Sequence, residues 1–355
     1  MIILGLETSC DETAAAIVEE TGDARRPWLL RSSVVASQMA LHREWGGIVP
    51  ELSARQHIRD ICGVVRGACD SADVAAVDAI AVTQGPGLVG SLLVGLSFAK
   101  SLAWARQVPL VPVNHLAGHI ESLVLENGEM PLPAIVLVVS GGHTSLYRVA
   151  QPGRYERLGR TRDDAAGEAY DKVAKLLGLG YPGGPVIDRR AGRGDDRAVA
   201  FPKTRITHAD RNAPNVPGTR DFSFSGLKTS VLRHVSLRRA ALGLSNDQAL
   251  PDPEIDDICA SFQRVVVETL LDAVFDAARW HGAHSVGIAG GVSANSRLRA
   301  DSRVRGDRRE LPVFIPGIEL STDNAAMIAA AGLRNFRAGI VAGWDLSADA
   351  SLTLA

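Results

Sequence analysis

The chain has 355 residues, 46% of them hydrophobic, enough to build a large core divided between two lobes or domains. Its formal net charge of −2 excludes a uniformly basic nucleic-acid binder. The cysteines Cys10, Cys62, Cys69 and Cys259 show no C-x-x-C spacing, which argues against both a structural zinc site and a disulfide framework.

The opening MIILGLETSC has no basic leader and its apolar run breaks at Glu7, so neither a signal peptide nor a membrane span is expected, and the expected location is cytoplasmic. IILGLETS reads as a strand, CDET as a polar turn and AAAIVEE as a returning strand, a hairpin with a polar tip. DAIAVTQGPG reads as a buried strand ending in a turn. SLLVGLSFAKSLAWARQ follows as an apolar helix, which gives the strand, turn and helix of a parallel α/β layer. Between them GPGLVG stands where a helix N-terminus approaches a phosphate, yet glycines there serve tight turns and helix–sheet packing equally well.

VPLVPV is a further strand, and in the NHLAGHI that follows His115 and His119 stand at i and i+4 on one helix face. Such a pair either chelates one ion or is simply exposed. No acid lies between them, so the H-E-x-x-H of zinc proteases, whose Glu is the general base, is absent. PAIVLVVSGGHTSLYRVA repeats the pattern of strand, Gly/Ser tip and strand. Duplication of a polar-tipped hairpin implies two similar lobes, each offering its turn to one ligand in a cleft between them.

DDAAGEAYDKVAKLLGLGYPGGPVID reads as a helix ended by Gly178, then a Gly/Pro loop into another helix. Residues 195–220 are polar and Pro-rich and read as an excursion. DPEIDDICASFQRVVVETLLDAVFDAARW is a long helix whose apolar face is core, and no chemistry is assigned to it. HSVGIAGGVSAN again gives strand, Gly-Gly and helix start: Gly290 and Gly291 let a nucleotide approach the backbone, and Asn295 is placed to hydrogen-bond a base or ribose. The arginines between Arg297 and Arg309 read first as a solvated helix face partnered by Asp301 and Asp307. They are also the densest local patch available to a nucleic acid.

The segments GLETSCDET, GPGLVGSLLVG, NHLAGH, VSGGHTSL, DDAAGEAYDKVAKLLGLGYPGGP, FSFSGLKT, AGGVSAN and STDNAAMIA occur together and in this order. In that combination the chain resembles the TsaD family of bacterial tRNA threonylcarbamoyladenosine transferases nearly end to end. Residues 22–31, 195–220 and 240–254 match least. The resemblance implies an α/β ASKHA fold, the actin, sugar-kinase and Hsp70-like architecture of two related lobes around a nucleotide cleft. Lobe I would span 1–133, completed by a C-terminal helix over 323–355, and lobe II would span 134–322. It further implies transfer of threonylcarbamoyl from threonylcarbamoyl-AMP, supplied by a separate synthase, to the exocyclic amine of the adenosine 3′ of the anticodon in tRNAs reading ANN codons, with AMP leaving. TsaB, in a heterodimer, and the ATPase TsaE are the implied protein partners.

Carried over residue by residue, the family's metal site falls on His115, His119 and Asp323, a donor set that suits iron first and zinc second. The positions that bind its adenine nucleotide or threonylcarbamoyl-AMP fall on Val138, Val139, Ser140, Gly141, Gly142, Asp171, Gly184, Asp188 and Asn295. Gly141 and Gly142 permit backbone N–H groups to face a phosphate, and Asp171 and Asp188 suit hydroxyls of ribose or threonine. The preferred proton acceptor for the amine is Asp11, with Glu12 and His143 as further candidates. Many relatives carry an acid where this chain has Ala117, a departure that leaves the ligand set intact. Readings from other classes are a small-molecule kinase on the same fold, a metallo-glycoprotease, which the missing Glu weakens, and a non-catalytic scaffold like TsaB, which would be expected to have lost the histidines.

Overall fold

The structure, a computed structural model, describes residues 1–354 apart from 73, 75, 205, 207–219, 246 and 247, so most of the excursion expected over 195–220 lies outside the described residues. The chain divides into two compact units. The first comprises Met1–Pro131, Val149–Glu156 and Pro316–Ala355, and the second Leu132–Arg148 and Arg157–Ile315.

In the first unit β1 (Ile2–Glu7), β2 (Glu12–Glu20), β3 (Trp28–Ser37), β4 (Ala79–Gly85) and β5 (Leu110–Asn114) form one sheet in the order β3-β2-β1-β4-β5. Neighbours β1, β2 and β3 pair antiparallel, as their short connections require, while β1–β4 and β4–β5 are parallel. Each parallel step is made by a helix, Pro50–Ala72 and then Val89–Arg106. Alternating side chains serve both faces: Leu4, Leu6, Ile17 and Ile80 pack with Ile61, Val64, Leu96 and Ala99 of those two helices. Ile3, Ala16, Ala81 and Val111 pack with Val124 of the helix His115–Asn127 and with Met327 and Ile328 of the helix Ala325–Arg337. A sheet covered on both faces explains why its strands read as continuous apolar runs.

The C-terminal helix is shorter than the 323–355 expected. Asn324 caps its start by accepting from the Met327 N–H at 3.0 Å, and the chain turns off at Gly339, whose φ of +75° is left-handed. Beyond it the chain runs back along β5, where Ala342 bridges Leu110.

The second sheet, in the second unit apart from residues 149–156, holds β6 (Ala134–Val139), β7 (Thr144–Gln151), β8 (Arg154–Arg160), β9 (Ser285–Ala289) and β10 (Val313–Phe314), ordered β10-β9-β6-β7-β8. Counted from β8 this is third, second, first, fourth, fifth, the order of the first sheet. The duplication expected from the hairpins alone therefore extends to the whole sheet, with β6–β9 and β9–β10 parallel. Its core is built with the helices Ala166–Leu176, Gly183–Ala191, Ser225–Leu242 and Asp252–Trp280. After β9, Gly290 takes φ +92°, and a Cβ there would lie 2.5 Å from the Val139 carbonyl oxygen, so only glycine admits the turn into the helix Ser296–Asp307. No helix among the described residues is long and apolar enough to cross a membrane.

Candidate functional site

His115 and His119 occupy the first two turns of a helix capped by Asn114, whose side chain accepts from the Leu116 N–H at 2.9 Å. Between them Gly118 faces the helix Ala325–Arg337. A Cβ on it would meet Ile328 Cδ1 at 2.8 Å and Met327 Cγ at 3.1 Å, so glycine lets the two helices close. That approach brings Asp323, just before the second helix, to the histidines. Its Oδ1 lies 3.5 Å from His115 Nε2 and 3.3 Å from His119 Nε2. The three ligand atoms all lie within 4.8 Å of one another, and both histidines are buried.

The rest of each ring decides what the triad can hold. His115 Nδ1 lies 3.1 Å from Glu7 Oε2 and 3.2 Å from Ser9 Oγ, which leaves Nε2 for the Asp323 side. Glu7 is itself fully buried, held by the Ser9 N–H and by the Thr83 hydroxyl at 2.6 Å. Neither ring nitrogen of the fully buried His119 makes a hydrogen bond among the described residues. A buried imidazole without hydrogen bonds is costly unless something else satisfies it. The carboxylate oxygen lies 3.3 and 3.5 Å from the two imidazole nitrogens, close to the edge of a tetrahedron with bonds of about 2.1 Å, and two imidazoles with one carboxylate are a donor set that fits an iron or zinc ion.

Without an ion, charge is shared within the group. Burial works to lower the His115 pKa, but Asp323 and Glu7 together raise it to about 9. Burial holds His119 below its ordinary value, so one imidazole is cationic and the other neutral. Burial likewise works to raise Glu7, and its charge pairing with His115 keeps it below the usual carboxylate range.

The tip after β1 carries Cys10, Asp11 and Glu12. Burial pushes Glu12 up to about 10, assisted by the negative charges of Asp11 and Asp323, so Glu12 is protonated at neutral pH. Cys10 is raised well above its ordinary value by burial and by the same acids, and is therefore a thiol without nucleophilic character. Without an ion, then, Glu12 carries a proton at neutral pH.

In the second unit the tip 140–143 is tied by Ser140 N–H to the His143 carbonyl at 2.8 Å, and Gly141 and Gly142 stand in open space where a ligand can approach their backbone. Val138 and Val139 have fully buried side chains, so only their backbone can serve a ligand. Asp171 Oδ1 accepts from the Gly183 N–H at 2.7 Å at the start of the helix that also carries Gly184.

Asp188 and Asn295 meet through a residue the sequence reading left out. Gln263, buried within the long helix, donates from Nε2 to Asp188 Oδ1 at 2.9 Å and accepts from Asn295 Nδ2 at 2.8 Å. Asn295 Nδ2 also reaches Asp188 Oδ1 at 3.2 Å, and its Oδ1 caps the helix at Leu298 N–H, 2.9 Å away. Both amide hydrogens of Asn295 are thereby spent, and one lone pair on Oδ1 is left for a ligand. Asp188 Oδ1 is also filled by the Ser296 hydroxyl at 2.8 Å, whereas Oδ2 takes the Ser296 N–H at 3.0 Å and keeps a vacant lone pair. The signal that would have found Gln263 is its place in the stripe: it stands at i+4 from buried Cys259 and i−4 from buried Val267.

The arginine segment is mostly paired. Arg297 binds Asp196 at 2.7 Å and Asp301 at 3.3 Å, Arg305 binds Asp272 at 2.6 Å, and Arg309 lies over the Phe275 ring. Arg303 and Arg308 are exposed and have no ion pair among the described residues.

A family model described as TsaD, tRNA N6-adenosine threonylcarbamoyltransferase, matches residues 30–330. The chain belongs to the TsaD family. A TsaD relative named tRNA N6-adenosine threonylcarbamoyltransferase from Koribacter versatilis (strain Ellin345) is 48% identical over 99% of each chain. One of the same name from Anaeromyxobacter sp. (strain Fw109-5) is 51% identical over 98% of each. Among solved structures, HypF from T. kodakarensis superposes with a TM-score of 0.60 at 15% identity, covering 97% of this chain and 48% of that one. At that identity the likeness shows the fold alone, and the fold is the ASKHA α/β architecture expected for the TsaD family.

Proposed function

We propose that this protein transfers the threonylcarbamoyl group of threonylcarbamoyl-AMP to the N6 amine of the adenosine 3′ of the anticodon in tRNAs reading ANN codons. The observation that carries the reading is the triad of buried His115 and His119 with partly buried Asp323, one imidazole lacking hydrogen bonds, in a chain of this family. These residues would hold one ion, iron before zinc by donor type, and when bound it supplies Lewis acidity toward an oxygen of the donor. Glu7 fixes the His115 ring so that Nε2 faces the triad.

The other work belongs to the chain. Asp11 orients the amine and takes its proton as N6 forms a bond to the carbamoyl carbon. The bond from that carbon to the phosphate oxygen breaks, and AMP departs with the electron pair. In the second unit the backbone N–H groups of Gly141 and Gly142 receive the donor's phosphate, and Val138, Val139 and Ser140 present backbone beside them. Asp188 accepts a ribose or threonine hydroxyl on Oδ2, while Asp171 and the turn at Gly184 complete the contacts.

The proposed setting is the cytoplasm, with tRNA as substrate, TsaB as heterodimer partner, and TsaE and a separate synthase acting alongside. The surface proposed for TsaB is a groove of 530 Å³ between the helices Pro50–Ala72 and Val89–Arg106, whose exposed Ile58 and Leu93 support an apolar contact there. Leu93→Asp should abolish co-purification of TsaB, and retained binding would move the partner elsewhere.

The test of the site is elemental analysis of protein purified without added metal, run beside a transfer assay. His115→Ala, His119→Ala and Asp323→Ala should each lose metal and transfer together while remaining folded. Full metal occupancy in all three variants would remove the assignment.

A further inference from the structure

A second buried polar cluster lies in the first unit, outside the triad's ligand set, and the mechanism above does not use it. His57, on the helix Pro50–Ala72, and His42, in the short helix Met39–Arg43, are both fully buried. His57 Nε2 lies 3.0 Å from the carbonyl oxygen of Cys10, which can only accept, so Nε2 carries a proton. Burial lowers the His57 pKa, partly offset by that carbonyl and by Glu7, Asp11 and Asp60, so the ring is neutral and Nδ1 is bare. Nδ1 accepts from the Thr13 hydroxyl at 2.8 Å and faces Gln38 Nε2 at 3.3 Å.

The other end gives the same proton assignment independently. The Val49 N–H donates to His42 Nδ1 at 3.2 Å, so His42 is protonated at Nε2, which faces Gln38 Oε1 at 3.3 Å. Gln38 is thereby oriented with its NH2 toward His57, where it also meets the Ser53 carbonyl at 3.4 Å. One directed chain results: Val49 N–H to His42, His42 to Gln38, Gln38 to His57, and His57 to the Cys10 carbonyl. The Ser53 hydroxyl binds the same carbonyl, and the backbone N–H of Gln38 binds the Asp11 carbonyl at 2.9 Å. The carbonyls on either side of the Asp11 Cα are therefore both held by this cluster.

We propose that His57 is a positioning residue for the transfer reaction: through the Cys10 carbonyl it fixes the hairpin tip and hence the direction of the Asp11 carboxylate. This rests on the reading of Asp11 as the group that takes the amine's proton. Losing the bond frees the tip by a fraction of an ångström to an ångström, and misplacement on that scale lowers the chemical step by roughly 10- to 100-fold.

The test compares His57→Leu, His57→Gln, Asp11→Ala and the double variant Asp11→Ala/His57→Leu in single-turnover transfer with the partner proteins present, alongside amide hydrogen exchange of the tip. His57→Leu should lower the rate at saturating donor and leave the KM for the donor unchanged. His57→Gln, whose amide Nε2–H can reach the Cys10 carbonyl, should recover most of the rate. The double variant should be no slower than Asp11→Ala alone. Exchange over residues 8–13 should quicken in His57→Leu with the rest of the chain unchanged. Equal loss from His57→Leu in both backgrounds, or unchanged exchange at the tip, would overturn the proposal. A wild-type rate in Asp11→Ala with quickened exchange in His57→Leu would instead overturn the Asp11 reading, and with it the catalytic part of the role, while leaving His57 as the tip's anchor.

Discussion

Replacing Gln263 by leucine keeps the volume of the side chain and removes both of its polar ends. Two hydrogen bonds disappear, one to the Asp188 carboxylate at 2.9 Å and one from Asn295 at 2.8 Å. A bond to a charged group contributes about 1.5–3 kcal/mol and a neutral one about 0.5–1.5 kcal/mol. Part is regained, because burying the leucine's extra apolar surface is worth about 1 kcal/mol. Asp188 also keeps both Ser296 contacts, and Asn295 keeps its cap on Leu298. The expected net loss is about 1–3 kcal/mol in stability, read by urea denaturation. Because Asp188 then loses one of its four hydrogen bonds and is held less firmly, adenine-nucleotide affinity should fall by up to roughly tenfold, about 1.4 kcal/mol, in calorimetric titration. Gln263→Glu should fare worse at neutral pH, since it sets a second carboxylate against Asp188. Unchanged nucleotide affinity in both variants would refute the claim that Gln263 sets the nucleoside-binding carboxylate.

Gly118→Val should force the helices His115–Asn127 and Ala325–Arg337 apart at about 1–3 kcal/mol and lower metal content, because Asp323 retreats from the histidines; elemental analysis with a melting curve checks this. Glu12, ordinarily near 4.5 and raised to about 10 in the fold, binds a proton in the native state that the unfolded chain has released, so wild-type stability falls as pH rises between those values. Metal-free Glu12→Gln should escape that fall, its advantage over wild type growing from pH 5 to pH 9 in denaturant titrations, and parallel curves would contradict the assignment. Arg303→Glu with Arg308→Glu should reduce tRNA modification and flatten its salt dependence, with nucleotide binding unchanged, because these two exposed cations have no ion pair among the described residues.

The strands and the duplicated hairpins were legible because apolar alternation and polar tips are local signals, and the two sheets share one order. The i, i+4 pair of His115 and His119 was legible for the same reason, whereas Asp323 came only from the resemblance, since no local pattern joins residues so far apart. What joins them is Gly118 and the close helix packing it permits. Gln263 was hidden because a single amide in an apolar stripe reads as noise until Asp188 and Asn295 converge on it. Asn295 read as a ligand contact from its Gly-Gly neighbours, but its amide hydrogens are committed to Asp188 and Gln263. The arginine segment found Asp301 within its own helix, as spacing foretold, but the equally expected Asp307 makes no ion pair among the described residues, and Asp196 and Asp272 reach the segment from elsewhere in the chain.

The most direct measurement mixes the metal-loaded protein and its partner proteins with synthetic threonylcarbamoyl-AMP and unmodified tRNA reading an ANN codon, then digests the RNA and weighs its nucleosides. The account predicts threonylcarbamoyladenosine at the position 3′ of the anticodon, formed in step with AMP, and none with His119→Ala. AMP release without the modified nucleoside, or full modification by His119→Ala, would contradict it.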